Sequence, residues 1–181
     1  MPRNFTPPTF DELIREAVEM TLRNGGHHPT IFAIGAKSVG LVVIADLPTD
    51  PDDKEMAMFA IGWELSRQPL GLLRDVVMIT ESWFRRAEPG EDVMRILPSQ
   101  DPNRKEMLYC HHYAVRARHH EAVAFEMIRD REGRLSDLLA MIDTRTDSSG
   151  ERPESHLIDT FMAGYHAGRK RRMPPPGGPR G

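Results

Sequence analysis

The spacing of apolar residues changes several times along this chain, and the order of those changes constrains the fold more than any single motif does. Between positions 13 and 22, apolar side chains recur every three or four residues, which is typical of a helix with one buried face. Thr9 and Glu12 fit a capping box ahead of this segment, and Asn24-Gly25-Gly26 is a typical helix stop after it. A first helix is therefore predicted from Thr9.

Two runs rich in β-branched residues follow, over 30–34 and 38–45, and their short connection predicts an antiparallel hairpin. A second helix is predicted from Asp50, because Asp50-Pro51-Asp52-Asp53 combines a capping carboxylate, an early proline and acids at the positive end of the helix. This helix ends before Pro69 and is apolar around most of its circumference. It is therefore expected to lie between the sheet and a second cover: the first helix, the last helix or another subunit.

Three further strands are predicted in the second half of the chain, over 76–84, 105–116 and 121–129. We expect Arg116 to pair with Glu121 across the hairpin that the last two strands form. The same register places His111 opposite Glu126, so that both charged pairs are complementary.

Residues 135–142 fit either a short helix or a last strand, and a closing amphipathic helix is predicted over 157–167. The predicted order is α-β-β-α-β-β-β-α, a single α+β domain with helices packed on a five-stranded, mostly antiparallel sheet. This order resembles the layout of roadblock-type and profilin-like modules. The resemblance rests on element order, so it implies a fold and no particular function.

The predicted domain covers 9–168, with an N-terminal arm over 1–8 and a mobile polar loop over 143–155. The formal net charge of the chain is −3, but the tail over 169–181 carries five cations and no acid. The rest of the chain therefore holds 19 cations and 27 acids, a net charge of −8. Because the basic tail is rich in Pro and Gly and has little apolar surface to bury, it is predicted to be disordered.

Cys110 is the single cysteine, so an intrachain disulfide is excluded and an oxidising compartment is not implied. The first residues contain no apolar signal-peptide core, and no run approaches the roughly 18 apolar residues of a membrane helix. We therefore expect a cytoplasmic protein without a membrane partner. No motif indicates a cofactor, and none is expected.

Three titratable residues are candidates for catalysis: His111, Glu126 and Glu81. A carboxylate opposite an imidazole fixes its tautomer and raises its pKa, as a general base requires. A cross-strand pair that only stabilises the sheet has the same pattern. Glu81 lies near the end of a predicted strand, where it is either exposed or buried with a raised pKa.

Six of the eight histidines occur as adjacent pairs, at 27–28, 111–112 and 119–120. Neighbours on a strand point to opposite faces, so such a pair cannot direct both imidazoles to one ion. Metal-binding spacings such as HExxH or paired CxxC do not occur, and no metal site is predicted.

Two polar segments are candidates for binding. The first precedes the strand predicted from position 105 and contains Asp101, Asn103, Arg104 and Lys105. It is either a binding loop or a polar turn. The second is the start of the tail, which contains Arg169, Lys170, Arg171 and Arg172. These four cations can attract nucleic acid or an acidic protein, but the sequence pattern places no aromatic stacking platform beside them.

Signature motifs of P-loop proteins, dinucleotide-binding proteins and α/β-hydrolases are absent from the sequence. The leading hypothesis is therefore a non-enzymatic protein-interaction or ligand-sensing module that self-associates into a homo-oligomer. One alternative is a hydrolase-type enzyme that uses a His/Glu site, with or without a metal. Another is a nucleic-acid-associated protein that acts through its basic tail.

Overall fold

The computed structural model describes residues 5–85, 100–145 and 156–171, and the architecture below refers to these ranges. In chain order, the elements are α1 (Phe10–Asn24), β1 (Thr30–Gly35), β2 (Val39–Val43), α2 (Pro51–Leu65), β3 (Leu73–Phe84), β4 (Lys105–Ala114), β5 (His119–Arg129), β6 (Leu135–Asp143) and α3 (His156–Lys170). The first four residues of the predicted arm, most of the loop over 143–155 and the tail from Arg172 onward lie outside these ranges, so those predictions stay predictions. No helix in the described ranges is both long and apolar enough to cross a membrane.

The six strands form one sheet in the order β2-β1-β3-β4-β5-β6, and every neighbouring pair is antiparallel. This confirms the predicted α+β class. The predicted count of five strands is wrong, because residues 135–142 form part of β6. A tight turn, in which Asp130 N–H donates to Arg134 O at 2.8 Å, returns the chain along β5. Pairing with β5 therefore decides the conformation that the residue pattern left open.

The β4–β5 hairpin differs from its predicted register by four residues. Ala114 pairs with His119, so the connection comprises residues 115–118, whereas the prediction paired Arg116 with Glu121. The chain reverses this early because Arg118 adopts a left-handed φ of 50° in a short turn. An even shift keeps each side chain on its predicted face. Four residues that alternate along the two strands are buried in one core cluster: Leu108, Cys110, Val123 and Met127.

Helices cover both faces of the sheet. α1 packs on one face, where its core partners include Ile34, Val77, Ile79, Leu108, Cys110 and Val123. α2 and α3 pack on the other face, over a core that includes Ile31, Ala33, Val76 and Met78. The alternation of side chains along a strand explains how neighbouring residues of β1 and β3 enter opposite cores.

Local signals start α1 and α2 and end α1 where the sequence predicts. Thr9 N–H donates to Glu12 Oε2 at 2.8 Å, and Thr9 Oγ1 accepts from Glu12 N–H at 3.3 Å, which completes the capping box. Gly25 ends α1 with a φ of 75°, a conformation that glycine adopts without a steric penalty. Asp50 accepts at 3.0 and 3.1 Å from the backbone N–H groups two and three residues later.

The second cover of α2 is α3, one of the three covers that the sequence allowed. The two helices run parallel. Near their starts, Glu55 Oε1 lies 2.7 Å from His156 Nε2, and near their ends Gly168 lies against Ser66. Their C-terminal ends therefore meet at the same end of the molecule.

Candidate functional site

The three candidate catalytic residues do not converge on one pocket. His111 lies opposite Ala122, and Glu126 is four residues further along β5. Glu126 Oε1 accepts from Lys105 Nζ at 2.5 Å instead of facing an imidazole. Glu81 lies on the other face of the sheet, because alternate residues of β3 point to opposite faces. The predicted pairing of His111 with Glu126 is therefore not formed.

His111 is fully buried beside a second imidazole. Its Nε2 lies 3.0 Å from Nδ1 of His120, and its Nδ1 has no hydrogen-bond partner. Burial, followed by the neighbouring His120 and His112, lowers the pKa of His111 to about 4. This is the opposite of the raised pKa expected from a carboxylate partner. His111 is therefore a neutral core residue at pH 7.

Glu81 lies at the exposed end of β3, which decides between its two predicted environments. Its Oε1 accepts the backbone N–H of His27 at 2.5 Å, just beyond the C-terminus of α1. Glu81 thus holds the connection between α1 and β1 against the sheet. It also borders an open cavity with His27 and His28.

The loop predicted to bind ligands has its polar groups engaged within the chain. Asp101 Oδ1 accepts from Asn103 N–H at 2.7 Å, as expected for a polar turn. The guanidinium of Arg104 lies 4.5 Å from the ring centre of Trp83, and Lys105 pairs with Glu126. In this arrangement the loop supports the start of β4.

The basic segment begins at the end of α3. Arg169, Lys170 and Arg171 are exposed there, and Arg172 lies outside the described residues.

Cys110 has no exposed surface, and its burial raises the pKa of the thiol to about 12, as suits a small apolar core residue. No cluster of three or more potential metal ligands occurs in the part of the chain that the structure describes.

A groove runs between α1 and the β1–β2 hairpin. Its larger part is a cavity of about 680 Å³, within the usual size range of ligand sites. α1 packs over the central strands and leaves Leu41 and Val43 of edge strand β2 exposed, so the groove is open along this part of β2. Its apolar lining includes Leu13, Met20, Phe32, Leu41, Val43 and Ile79.

A second cavity of about 510 Å³ continues this groove past the C-terminus of α1. The two cavities share Met20, His27, Thr30 and Val43. Nδ1 of His27 is buried there and has no hydrogen-bond partner among the described residues. Burial lowers the pKa of His27, so the ring is neutral at pH 7.

The outer edge of β2 is unpaired within the described ranges. Ser38 O accepts from Gly35 N–H at 2.9 Å, and Ile44 N–H donates to Pro29 O at 2.7 Å. Because hydrogen bonding alternates along an antiparallel strand, the even-numbered residues bond to β1. The backbone groups of Val39, Leu41 and Val43 therefore point toward the free edge.

Two of these edge residues also line the groove. The side chains of Leu41 and Val43 are 54% and 57% exposed, although both are apolar. Facing them from α1, Met20 is 45% exposed. The alternation of side chains along β2 is visible in the sequence. The position of β2 at the edge of the sheet, and the absence of a helix over Leu41 and Val43, are not visible there. For that reason the groove cannot be predicted from the sequence.

No protein-family model, curated protein or solved structure matches the chain. The resemblance to roadblock-type and profilin-like layouts therefore gains no support from a solved structure.

Proposed function

We propose that the protein is a non-enzymatic interaction module that binds an extended peptide segment of a partner protein in the α1–β2 groove. One observation carries the proposal: the free backbone edge and the exposed apolar side chains belong to the same two residues, Leu41 and Val43. A peptide that adds to this edge as a strand pairs with those backbone groups. It also directs every second side chain into the groove.

The length of the groove suits such a segment. α1 has 15 residues and is about 22 Å long at 1.5 Å per residue. An extended peptide of about six or seven residues spans roughly 20–23 Å. It therefore extends from Pro8, beside the start of α1, to Glu81 beyond its end.

The chemistry of the groove favours a peptide with alternating apolar residues and a cationic end. Apolar side chains from α1, β1 and β2 line the groove. Three carboxylates border it, those of Glu12, Glu16 and Glu81, against one cation, Arg15. This excess of negative charge complements a Lys or Arg in the peptide.

The proposal is tested with a fluorescein-labelled Lys-Val-Thr-Val-Thr-Val peptide and the same peptide with Glu in place of Lys. We expect fluorescence polarisation to show tighter binding of the Lys peptide. Binding by strand addition also slows hydrogen exchange of the Leu41 and Val43 amides, whose N–H groups point to the free edge. Exchange at the amides of Val42, already bonded to β1, stays the same.

A pair of variants locates the binding site. Leu41→Asp places a carboxylate among the apolar groove residues and is expected to weaken binding by about tenfold or more. Leu72→Asp is the matched control, because Leu72 is an apolar residue that is 75% exposed and lies outside the groove. Equal binding by the two variants, or unchanged exchange at Leu41 and Val43, contradicts the proposal.

A further inference from the structure

An aromatic side chain lies between cations at the common C-terminal end of α2 and α3. The guanidinium carbon of Arg67 is 6.0 Å from the ring centre of Trp63, and that of Arg171 is 5.1 Å from it. The ring of Phe59, which is 39% exposed, stacks near Trp63 at a centroid distance of 6.5 Å and an interplanar angle of 26°. Two rings and two guanidinium groups therefore form one surface.

Positive charge is concentrated at this end of the molecule because α2 and α3 are parallel. Arg67 follows α2, and Arg169, Lys170 and Arg171 lie at the end of α3. Glu64 offsets one of these charges, as its Oε1 lies 3.3 Å from Arg67 Nη1 in an exposed ion pair. Cations are favoured at helix C-termini, which explains the basic residues at the ends of α2 and α3. It does not explain the aromatic rings of Trp63 and Phe59 beside them.

We infer that this surface binds single-stranded nucleic acid. Phosphates are held by the cations at the helix ends, and an unstacked base lies on the rings of Trp63 and Phe59. A duplex keeps its bases stacked on one another and offers no free base face to these rings. An acidic protein pairs with the cations but places no base on the ring of Trp63. The basic segment identified in the sequence therefore starts beside the rings of Trp63 and Phe59. These two aromatic residues are far from it in the chain, so the sequence pattern did not show them together.

The first test follows the fluorescence of Trp63 in the full chain. The protein contains two tryptophans, so a Trp83→Phe variant leaves Trp63 as the single reporter. We expect a short oligothymidylate to quench this fluorescence to saturation, because a base stacks on the indole. Heparin, a polyanion without bases, is expected to displace the oligonucleotide without quenching. Absence of quenching by oligothymidylate, or equal quenching by heparin, overturns the inference.

The second test separates stacking from charge. Trp63→Leu is expected to weaken oligothymidylate binding by about tenfold while leaving heparin binding unchanged. The double variant Arg67→Gln, Arg171→Gln changes exposed side chains only and is expected to keep the fold. It lowers the slope of log affinity against log salt concentration by about 0.7 for each phosphate contact that is lost.

Circular dichroism melting establishes whether Trp63→Leu is folded. If it is not, quenching and the double-arginine variant still decide the outcome. Unchanged oligothymidylate affinity and salt slope in that double variant overturn the inference and assign the cations to helix termination alone. Arg134→Gln is the matched control for the arginine variant, because Arg134 is an exposed arginine in the β5–β6 turn, outside this surface. The α1–β2 groove and this surface lie on opposite faces of the sheet and are independent proposals.

Discussion

The buried imidazole of His111 has one hydrogen-bonding partner for its two nitrogens. Nε2 faces Nδ1 of His120 at 3.0 Å, so one of these two atoms carries the shared proton. If Nδ1 of His111 carried the proton, a buried N–H would remain unpaired, which is rarer in proteins than an unpaired acceptor. The favoured arrangement has His111 Nε2–H donating to His120.

Burial of neutral His111 makes the stability of the fold depend on pH. Its pKa is about 4 in the folded state, against 6.5 in an unfolded chain, so the unfolded chain takes up a proton first on acidification. The free energy of unfolding is expected to fall as pH decreases from about 6.5 to 4, by about 3 kcal/mol from this residue. Urea denaturation at several pH values measures the change.

Two variants assign this pH dependence to His111. His111→Leu removes the titrating group and is expected to flatten the dependence, even if the variant is less stable at pH 7. His166→Gln changes an exposed histidine on α3 and is expected to leave the dependence as it is. A His111→Leu protein with the wild-type pH profile contradicts the assignment.

At the scale of the elements, glycines set the distance between α2 and α3. A Cβ added to Gly62 lies 2.1 Å from Phe161 O, and one added to Gly164 lies 2.1 Å from Phe59 O. These distances are far below any real contact, so the backbones touch where side chains are missing. The sequence contains Gly164 and Gly168 four residues apart, a spacing typical of close helix contacts, but it does not name the partner helix.

Gly164→Ala tests this contact, because helix propensity and close helix packing predict opposite changes in stability. In an isolated helix the change stabilises by about 1 kcal/mol. Here the added methyl group forces the helices apart, and overpacking of this kind costs about 1–3 kcal/mol. We therefore expect a lower urea midpoint. A higher midpoint would show that the helices do not approach this closely.

In the β4–β5 hairpin, the two strands follow from the sequence but their register does not. Both strands and the faces of their side chains are predicted correctly, because alternation is a property of each strand alone. The register is wrong by four residues, since two complementary charged pairs suggested a turn over 117–120, two residues later than the observed turn over 115–118. The candidate dyad of His111 and Glu126 depended on that register. An error in one turn therefore removed the predicted site.

For the whole molecule, the sheet has two open edges within the described ranges, at β2 and β6. β6 has nine residues, and its apolar residues Leu139 and Ile142 are 49% and 45% exposed. A long apolar edge strand is a template for pairing with another chain. Self-association, expected from the sequence, therefore has a candidate surface at β6.

Light scattering measures this self-association in solution. We expect a mass above that of the 20.6 kDa monomer for the wild-type protein. Leu139→Lys places a charge on the edge strand and is expected to shift the mass toward the monomer, because charged residues at edges block strand pairing. A monomeric wild-type protein, or an unchanged oligomer in Leu139→Lys, contradicts the prediction.

The helix starts, five of the six strand segments and the face of the sheet that each strand residue takes follow from the sequence alone. Caps, turns and hydrophobic periods act over a few residues, so their signals are local. Tertiary contacts account for the sixth strand, the β4–β5 register, the cover of α2 and the two candidate surfaces. Each of these depends on residues far apart in the chain, as where Met20 faces Leu41 and Arg171 faces Trp63. Such meetings are set by how the elements pack, and no local pattern specifies them.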